Sequence, residues 1–300
     1  MRQPLQRPYL ALFLLLAIGA LMGLTSNLVK LAGQQGWQPL AFLLWSLLGG
    51  GLALLVLVRL RGERTGITPP LLRYYLIAGL ISIALPNGLL FSSIGHVGAG
   101  FASMCLAFPP LFTYLMALAL RMEPLSRIRL LGIGIGLVGS VLLALGKLQD
   151  GDAPRLWVLA ALSIPLFLAM GNIYRSRYWP SGASPLSLAP GMLLGGALLL
   201  LPMGLLGADL APQLGSQAAI LLLLVQMALF AIVYALFFVL QKLAGAVFLS
   251  QIGSVAAVLG AAMAIGLLGE QGSLSMLLAG LCIVSGVLLV AWRGAQEKAQ

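Results

Sequence analysis

The sequence predicts an all-α membrane protein with ten transmembrane helices, arranged as two inverted repeats of five helices each (5+5). The first observation behind this prediction is composition. Of the 300 residues, 61% are hydrophobic and only 8% are charged, and the mean hydropathy is +1.06. Soluble domains do not reach such values. The other two observations are a series of long apolar runs and a similarity between the two halves of the chain.

Ten apolar runs are long enough for a helix to cross the hydrocarbon layer, which takes about 20 residues. They lie at 9–31, 39–59, 71–93, 98–120, 128–147, 155–175, 185–207, 217–241, 246–268 and 273–293. Several runs begin at a proline, which suits the first helical turn because its N–H would have no helical partner there. These prolines are Pro39, Pro70, Pro154 and Pro185.

The first run follows Arg2 and Arg7 and resembles a secretory signal, but its apolar core is too long for one. We therefore predict a retained helix. Cys105 and Cys282 are isolated within apolar runs, so neither a disulfide framework nor a cysteine metal site is indicated. No spacing typical of a nucleophile with its base, a metal site or a phosphate loop is present. We predict no enzymatic activity, no cofactor and no metal.

The basic residues predict the orientation of the helices. With the N-terminus in the cytoplasm, every Lys and Arg except Lys30, Lys147 and Arg155 falls on the cytoplasmic side, as the positive-inside rule requires. We therefore predict a multi-pass protein of the bacterial inner membrane with both termini cytoplasmic. On this interpretation the net charge of +10 is a topology signal and does not indicate binding to nucleic acid.

The two halves of the chain resemble each other at a shift of 145 to 147 residues. Pro39 aligns with Pro185, and the pair Gly49–Gly50 aligns with Gly195–Gly196. The same shifts align Asn27 and Lys30 with Asn172 and Arg175, Glu123 with Glu270, and Gly139 with Gly286. Because each half has an odd number of helices, the halves must have opposite orientations in the membrane, as in many secondary transporters. We predict one repeat at 1–150 and a second, inverted repeat at 151–300.

The order of motifs resembles the drug/metabolite transporter superfamily. N-x-x-K closes the first helix, "FPPLFTYLMALALRMEP" closes the fourth and "GIGLVGSVLLAL" follows in the fifth. The second half has "GSVAAVLGAAMAIGLLGEQGS" and "GLCIVSGVLLVAW" in the matching places. Within the superfamily the chain is similar to EamA-type exporters, and most of all to the YddG-type exporters of aromatic amino acids. The resemblance implies a central cavity between helices 1–4 and 6–9, with helices 5 and 10 at the periphery. Trp45 stands where many members have Arg, so we transfer no role for a charge to that position.

The predicted eighth helix carries the most informative face. Gln226, Phe230 and Tyr234 follow one another at helical spacing. An aromatic stripe often only packs against a neighbour, but an amide facing lipid would have no partner, so this face should point inward. Tyr234 aligns with Asn87 between the repeats, and we expect the two to bracket a substrate at different depths. The predicted substrate-binding residues are Asn27, Asn87, Met104, Phe108, Asn172, Gln226, Phe230, Tyr234 and Gln251.

Other residues receive structural interpretations. Lys30 and Arg175 fit snorkelling, in which a long stem lets the charge reach the membrane interface. Glycines of the fifth helix form a small-residue stripe that suits packing within the chain or a homodimer through helices 5 or 10. Prolines inside the spans remove helical hydrogen bonds and are predicted hinges. These prolines are Pro86, Pro109, Pro110 and Pro165.

The sequence therefore predicts an exporter of small metabolites, with aromatic and bulky neutral amino acids as substrates, that works by alternating access in the lipid bilayer. Multidrug efflux, movement of a lipid-linked sugar and a purely structural membrane role remain alternatives. All acidic residues fall in loops, tails or helix ends, whereas proton-driven carriers place a titratable group inside the membrane. We therefore predict a facilitator that runs down the substrate gradient.

Overall fold

The computed structural model describes residues 8–63, 66–149 and 154–296. Over these residues the regular elements are helical. They are α1 (Pro8–Gln34), α2 (Pro39–Leu60), α3 (Pro69–Gly79), a π-helical turn (Leu80–Ala84), α4 (Leu85–Val97), α5 (Ala99–Cys105), α6 (Pro109–Ala119), α7 (Arg127–Gln149), α8 (Arg155–Arg177), α9 (Pro185–Leu205), α10 (Gln217–Ser250), α11 (Ile252–Leu268) and α12 (Leu274–Gln296).

These helices occupy the positions of the ten predicted spans. Seven helical stretches of the described chain are long and apolar enough to cross a membrane, and three shorter apolar stretches lie within α7, α11 and α12. Large apolar side chains such as Leu52, Val56 and Leu131 are exposed on the bundle surface, which suits contact with lipid. The prediction of an all-α membrane protein is confirmed, and the chain is a multi-pass membrane protein.

Several spans are not the simple helices that the sequence predicts. The third span contains the π-helical turn between α3 and α4, and the fourth is broken between α5 and α6. The predicted boundary between helices at 217–241 and 246–268 is confirmed at Gly245, whose φ of 80° and ψ of 178° are not helical, so that two helical segments of α10 meet at a kink there. Glycine tolerates this backbone conformation. The ninth span is itself interrupted at Gln251, between α10 and α11.

The helix contacts exchange between the two halves, as an inverted repeat requires. Two helices of the first half, α2 and α7, pack against their own counterparts α9 and α12. The contact of α1 with α11 has its counterpart in the contact of α8 with α5 and α6. The boundary that we predict between residues 150 and 151 lies outside the described residues, and the division of the chain at that point stays a prediction.

The glycine pairs that match between the halves allow equivalent close contacts. A Cβ on Gly50 would lie 3.0 Å from the carbonyl oxygen of Met227 in α10. A Cβ on Gly195 would lie 2.8 Å from the carbonyl oxygen of Tyr75 in α3. The helix α3 belongs to the third span of the first half, and α10 belongs to the third span of the second half. Each glycine pair therefore packs against the third span of the opposite half.

The glycine stripe of the fifth span is used for packing within the chain. A Cβ on Gly139 would lie 2.9 Å from the carbonyl oxygen of Ala279, and one on Gly286 would overlap the carbonyl oxygen of Gly132. The helices α7 and α12 therefore form a closely packed pair at the edge of the bundle. Because this face of α7 is occupied by α12, a homodimer through these helices would have to use their other faces, and it stays a prediction.

Candidate functional site

A small cavity, which we call the central cavity, lies between the two halves, near the π-helical turn and the break between α5 and α6. Its volume is about 40 Å³, and its polar lining comes from Ser82, Asn172, Arg175, Tyr234 and Ser250. Small-molecule pockets usually hold about 300–1,000 Å³. In this conformation the central cavity is therefore too small to hold a metabolite.

Arg175 is the main charged group of the central cavity, and it is buried, with 1% of its surface exposed. Its Nε donates to Oε1 of Gln241 at 2.8 Å, and its Nη2 donates to Oδ1 of Asn172 at 2.7 Å. The guanidinium carbon lies 4.8 Å from the ring centroid of Phe237, a cation–π distance. The snorkelling interpretation is wrong for Arg175, because two amides and a ring hold its charge inside the protein.

Asn87 and Tyr234, which align between the repeats, meet in the structure. The amide nitrogen Nδ2 of Asn87 donates to the carbonyl oxygen of Ile83 at 3.0 Å and to the hydroxyl of Tyr234 at 3.4 Å. Our expectation that the pair brackets a substrate at two depths is wrong. Residues close to a pseudo-twofold axis contact their own counterparts, so the pair marks the axis between the halves.

A continuous line of aromatic rings runs through the bundle past the central cavity, and we call it the aromatic line. Consecutive ring centroids lie 5.4 to 6.3 Å apart, a range in which aromatic rings attract one another. In order, its rings are Trp37, Phe42, Phe91, Phe230, Tyr234, Phe237, Phe238 and Trp179. The face predicted on the eighth span therefore supplies the middle of the line.

One end of the aromatic line, Trp37, lines a pocket, and at the other end Nε1 of Trp179 donates to the carbonyl oxygen of Ala183 at 3.3 Å, a residue that lines a second pocket. We call one end of the bundle the Glu270 end, where a pocket of about 450 Å³ is lined by Lys30, Trp37 and Phe91. The other is the Glu63 end, where a pocket of about 580 Å³ is lined by residues that include Glu63. Glu63 also accepts a hydrogen bond from the hydroxyl of Ser184. The two end pockets therefore lie on opposite sides of the small central cavity.

An ion pair closes one side of the Glu270 end. The Nζ of Lys30 lies 2.7 Å from Oε1 of Glu270, and the carboxylate also accepts hydrogen bonds from the backbone N–H groups of Ala99 at 2.7 Å and Gly100 at 2.8 Å. Burial alone would raise the pKa of Glu270, but Lys30 and the two backbone donors together lower it below its ordinary value. Lys30 therefore holds a specific partner from the other half, beyond simple snorkelling.

A second polar cluster lies between α1, α10 and α11. The amide of Gln226, which is completely buried, donates from Nε2 to Oγ1 of Thr25 at 3.4 Å. The amide of Asn27 donates from Nδ2 to the carbonyl oxygens of Gly23 and Gly260, both at 3.1 Å. As expected, Gln226 points inward, but these residues connect helices and are not among those that line the central cavity.

The remaining predicted binding residues are distributed around the fourth and ninth spans. Met104 lines an apolar groove of about 750 Å³ formed with α11 and α12. Phe108 is buried just before the first residue of α6, and Gln251 is buried at the junction of α10 with α11. The Nε2 of Gln251 has no hydrogen-bond partner among the described residues. The structure thus brings Asn87 and Phe230 into contact with Tyr234, which shares the central cavity with Asn172. The other predicted binding residues do not line this cavity.

The predicted hinge prolines differ in their settings. Pro109 and Pro110 are the first two residues of α6, directly after the break in the fourth span. Pro86 is the second residue of α4, directly after the π-helical turn, whereas Pro165 lies inside the continuous helix α8. Three of the four prolines therefore adjoin an irregular backbone segment near the cavity. Their role as hinges stays a prediction.

The break in the fourth span meets α11 at a glycine that sequence reasoning did not select. A Cβ on Gly253 would overlap the carbonyl oxygen of Leu106, and both residues line the central cavity. They align between the repeats at the same shift as Asn87 and Tyr234, which could have identified this contact. Arg175 and Ser82 were also missed, although the repeated N-x-x-[KR] motif pointed to the arginine.

The exchange of contacts between the halves, the broken spans and the polar cavity between them are features typical of secondary transporters. Residues 9–145 match the EamA-like transporter family. The match covers the predicted first half, which is under half of the chain, and it supports the drug/metabolite transporter superfamily and transport of small molecules across a membrane. None of the curated proteins compared matches the chain significantly.

A solved structure, described only as the crystal structure of a protein, shares this fold. It superposes with a TM-score of 0.68 and 19% sequence identity, over 94% of this chain and 98% of that one. At this identity the likeness concerns the fold alone. It extends the similarity beyond residues 9–145 to both halves of the chain.

Proposed function

We propose that the protein exports small amphipathic metabolites, with aromatic and bulky neutral amino acids as its substrates, across the bacterial inner membrane by alternating access. The observation that carries this proposal is the aromatic line, which runs from the pocket at the Glu270 end, past the central polar cavity, to Trp179 beside the pocket at the Glu63 end. Aromatic rings offer stacking and apolar contact to a bulky side chain, while the polar groups at the centre suit a charged backbone group. The positive-inside distribution of Lys and Arg supports cytoplasmic termini.

The location of the acidic residues supports a facilitator. Among the described residues that line the central cavity, none is Asp or Glu. Glu270 lies two residues beyond the end of α11 and is already paired with Lys30. A proton-driven carrier needs a titratable group that both sides can reach in turn. We therefore infer that the substrate gradient drives export.

Purified protein in liposomes is expected to catalyse counterflow of phenylalanine, tryptophan and leucine, and to show the same rate with and without an imposed pH gradient. The panel should include a cationic dye and a nucleotide sugar, which represent the alternative functions. Transport of the dye or the sugar without any of the amino acids would contradict the proposed substrates. Accumulation of an amino acid against its gradient, driven by pH and lost with a protonophore, would contradict the facilitator.

Replacing Tyr234 by leucine is expected to reduce the counterflow rate at least about tenfold without loss of folded protein. The substitution removes the hydroxyl that Asn87 contacts and interrupts the aromatic line, while leucine is well tolerated in a membrane helix. Ile232→Leu on the same helix is the matched control, because Ile232 is exposed on the bundle surface. Equal rates for both variants would show that this face only packs against its neighbours.

A further inference from the structure

The central cavity contains a buried positive charge that the described lining does not neutralise. The polar partners of the Arg175 guanidinium are the amide oxygens of Gln241 and Asn172, which are neutral. Burying an ion costs several kcal/mol unless an opposite charge and further hydrogen bonds compensate. An arginine at this place is therefore best explained by an anion that binds during the transport cycle.

The arginine is held so that part of its guanidinium stays available. Its Nε and Nη2 are engaged, whereas its Nη1 has no hydrogen-bond partner among the described residues. Gln241 is itself fixed, because its Nε2 donates to the carbonyl oxygen of Asn172 at 3.2 Å and to Oγ of Ser176 at 3.1 Å. Asn172 and Gln241 are thus positioning residues. They orient a rigid, planar donor whose remaining amino group is free for a ligand.

A second buried donor lies beside that amino group. Ser82, in the π-helical turn, is 4% exposed, and its Oγ has no partner among the described residues. A Cβ on Gly171 would overlap Oγ of Ser82 and would lie 3.1 Å from Nη1 of Arg175. The two unpartnered donors therefore flank the same point of α8, and both residues line the central cavity. Single π-helical turns are common at functional sites, and this one provides the serine.

We propose that Arg175 and Ser82 form an anion subsite that holds the carboxylate of the transported molecule. This inference rests on the proposed function and specifies which part of the substrate the centre recognises. A guanidinium amino group and a hydroxyl are donors that suit a carboxylate oxygen. The ring of Phe237, against the guanidinium, and that of Tyr234 are placed to contact the apolar part of the same molecule.

The subsite has a consequence for substrate choice. Because no Asp or Glu is among the described lining residues, an ammonium group has no charged partner there. Removing the amino group from phenylalanine should therefore weaken binding much less than removing its carboxylate. The expected order of affinity is 3-phenylpropionate equal to or above phenylalanine, and both well above phenethylamine.

The test measures ligand-induced thermal stabilisation of the purified full-length protein in detergent, titrated with phenylalanine, 3-phenylpropionate and phenethylamine. Arg175→Gln is expected to weaken binding of both carboxylates at least about tenfold, which is the scale of a lost charged hydrogen bond. Ser82→Ala is expected to weaken it about three- to tenfold, and it keeps the arginine network intact should Arg175→Gln fold poorly. Arg177→Gln is the matched control, because Arg177 is exposed on the same helix.

The possible results separate this inference from the proposed function. Equal binding of phenethylamine and 3-phenylpropionate to the wild-type protein would overturn the subsite, even if amino acids are transported. The same would follow if Ser82→Ala and Arg175→Gln bind the carboxylates as the wild type does, if Arg177→Gln loses as much affinity, or if none of the three compounds binds. Strong binding of 3-phenylpropionate without binding or transport of phenylalanine would support the subsite and contradict amino acid export.

Discussion

Replacing Gly253 by alanine is expected to abolish transport and to lower strongly the thermal stability of the detergent-solubilised protein. The added methyl group would overlap the carbonyl oxygen of Leu106. Both partners are backbone, one at the start of α11 and one in the break before α6, so no flexible side chain can move aside. Overpacking usually costs about 1–3 kcal/mol, and a backbone obstacle places this substitution at or above the upper limit.

The matched control for Gly253→Ala is Gly266→Ala in the same helix. A Cβ on Gly266 has open space around it, with nothing within 4 Å. Alanine should therefore be neutral or slightly stabilising, because it is favoured over glycine in a helix by up to about 1 kcal/mol. Thermal stability and counterflow rate should be measured for both variants. If Gly253→Ala has the thermal stability and counterflow rate of the wild type, the two backbone segments can move apart at this point without a measurable cost.

The contact at Gly253 also bears on the mechanism. Leu106 and Gly253 correspond in the two repeats, as do Asn87 and Tyr234, and both pairs meet beside the central cavity. Such contacts between counterparts lie near the pseudo-twofold axis. If the halves rock against each other, points near the axis move least, and a close backbone contact there can persist while the two ends open and close in turn. We expect the cavity to widen by movement of the flanking helices.

The helices were predictable because their signal is strong and local. Long apolar runs that begin at Pro39 or Pro185 have few other folds open to them, since every backbone polar group must be satisfied inside the bilayer. The repeat was also visible, because Pro39 and Gly49–Gly50 recur as Pro185 and Gly195–Gly196. The odd number of helices in each half then imposes opposite orientations on the two halves. The breaks were harder to predict. The π-helical turn at Leu80–Ala84 and the break at Gln251 depend on tertiary contacts, and a run of apolar residues looks the same whether its helix is straight or interrupted.

The candidate site was only partly predictable, for a physical reason. Residue type and helical face identified Tyr234 and Gln226 as inward-facing, and both are buried. Arg175 has the same spacing after an asparagine as Lys30, yet one is buried and the other pairs with Glu270 near a pocket. Depth along a helix end can be judged from sequence only to about one turn, and for a long basic side chain that turn decides between the interface and the interior.

Replacing Glu270 by glutamine is expected to destabilise the Glu270 end by about 2 kcal/mol at neutral pH. The carboxylate joins three segments, since it accepts hydrogen bonds from Lys30 in α1 and from Ala99 and Gly100 at the start of α5. Hydrogen bonds to charged groups contribute about 1.5–3 kcal/mol each, and partial exposure of the pair reduces the total. The fold of the bundle should survive, because the core packing does not change.

Two comparisons separate the effect of breaking the ion pair from the general effect of removing a negative charge. Asp209→Asn also removes a negative charge, but Asp209 is exposed, and its carboxylate accepts a hydrogen bond within its own loop, from the N–H of Ala211. We expect it to change stability by less than about 0.5 kcal/mol. A double-mutant cycle with Lys30→Met should show strong coupling, with the double variant little worse than Glu270→Gln alone. Additive effects would mean that the pair contributes no more than its separate parts.

The pH dependence of stability provides the sharpest check on this pair. Because the folded protein lowers the pKa of Glu270 below the ordinary value of 4.5, its stabilising contribution is fully present above that value and is lost as pH falls through the folded pKa. The difference in melting temperature between the wild type and Glu270→Gln should therefore be constant from neutral pH to about 5 and should shrink on further acidification toward about pH 3. Asp209→Asn serves again as the control, with a difference close to zero throughout. If the wild type remains more stable than Glu270→Gln by the same margin at the lowest pH, the negative charge of Glu270 does not stabilise this end of the bundle. The hydrogen bonds from the backbone N–H groups of α5 would then not depend on ionisation of the carboxylate.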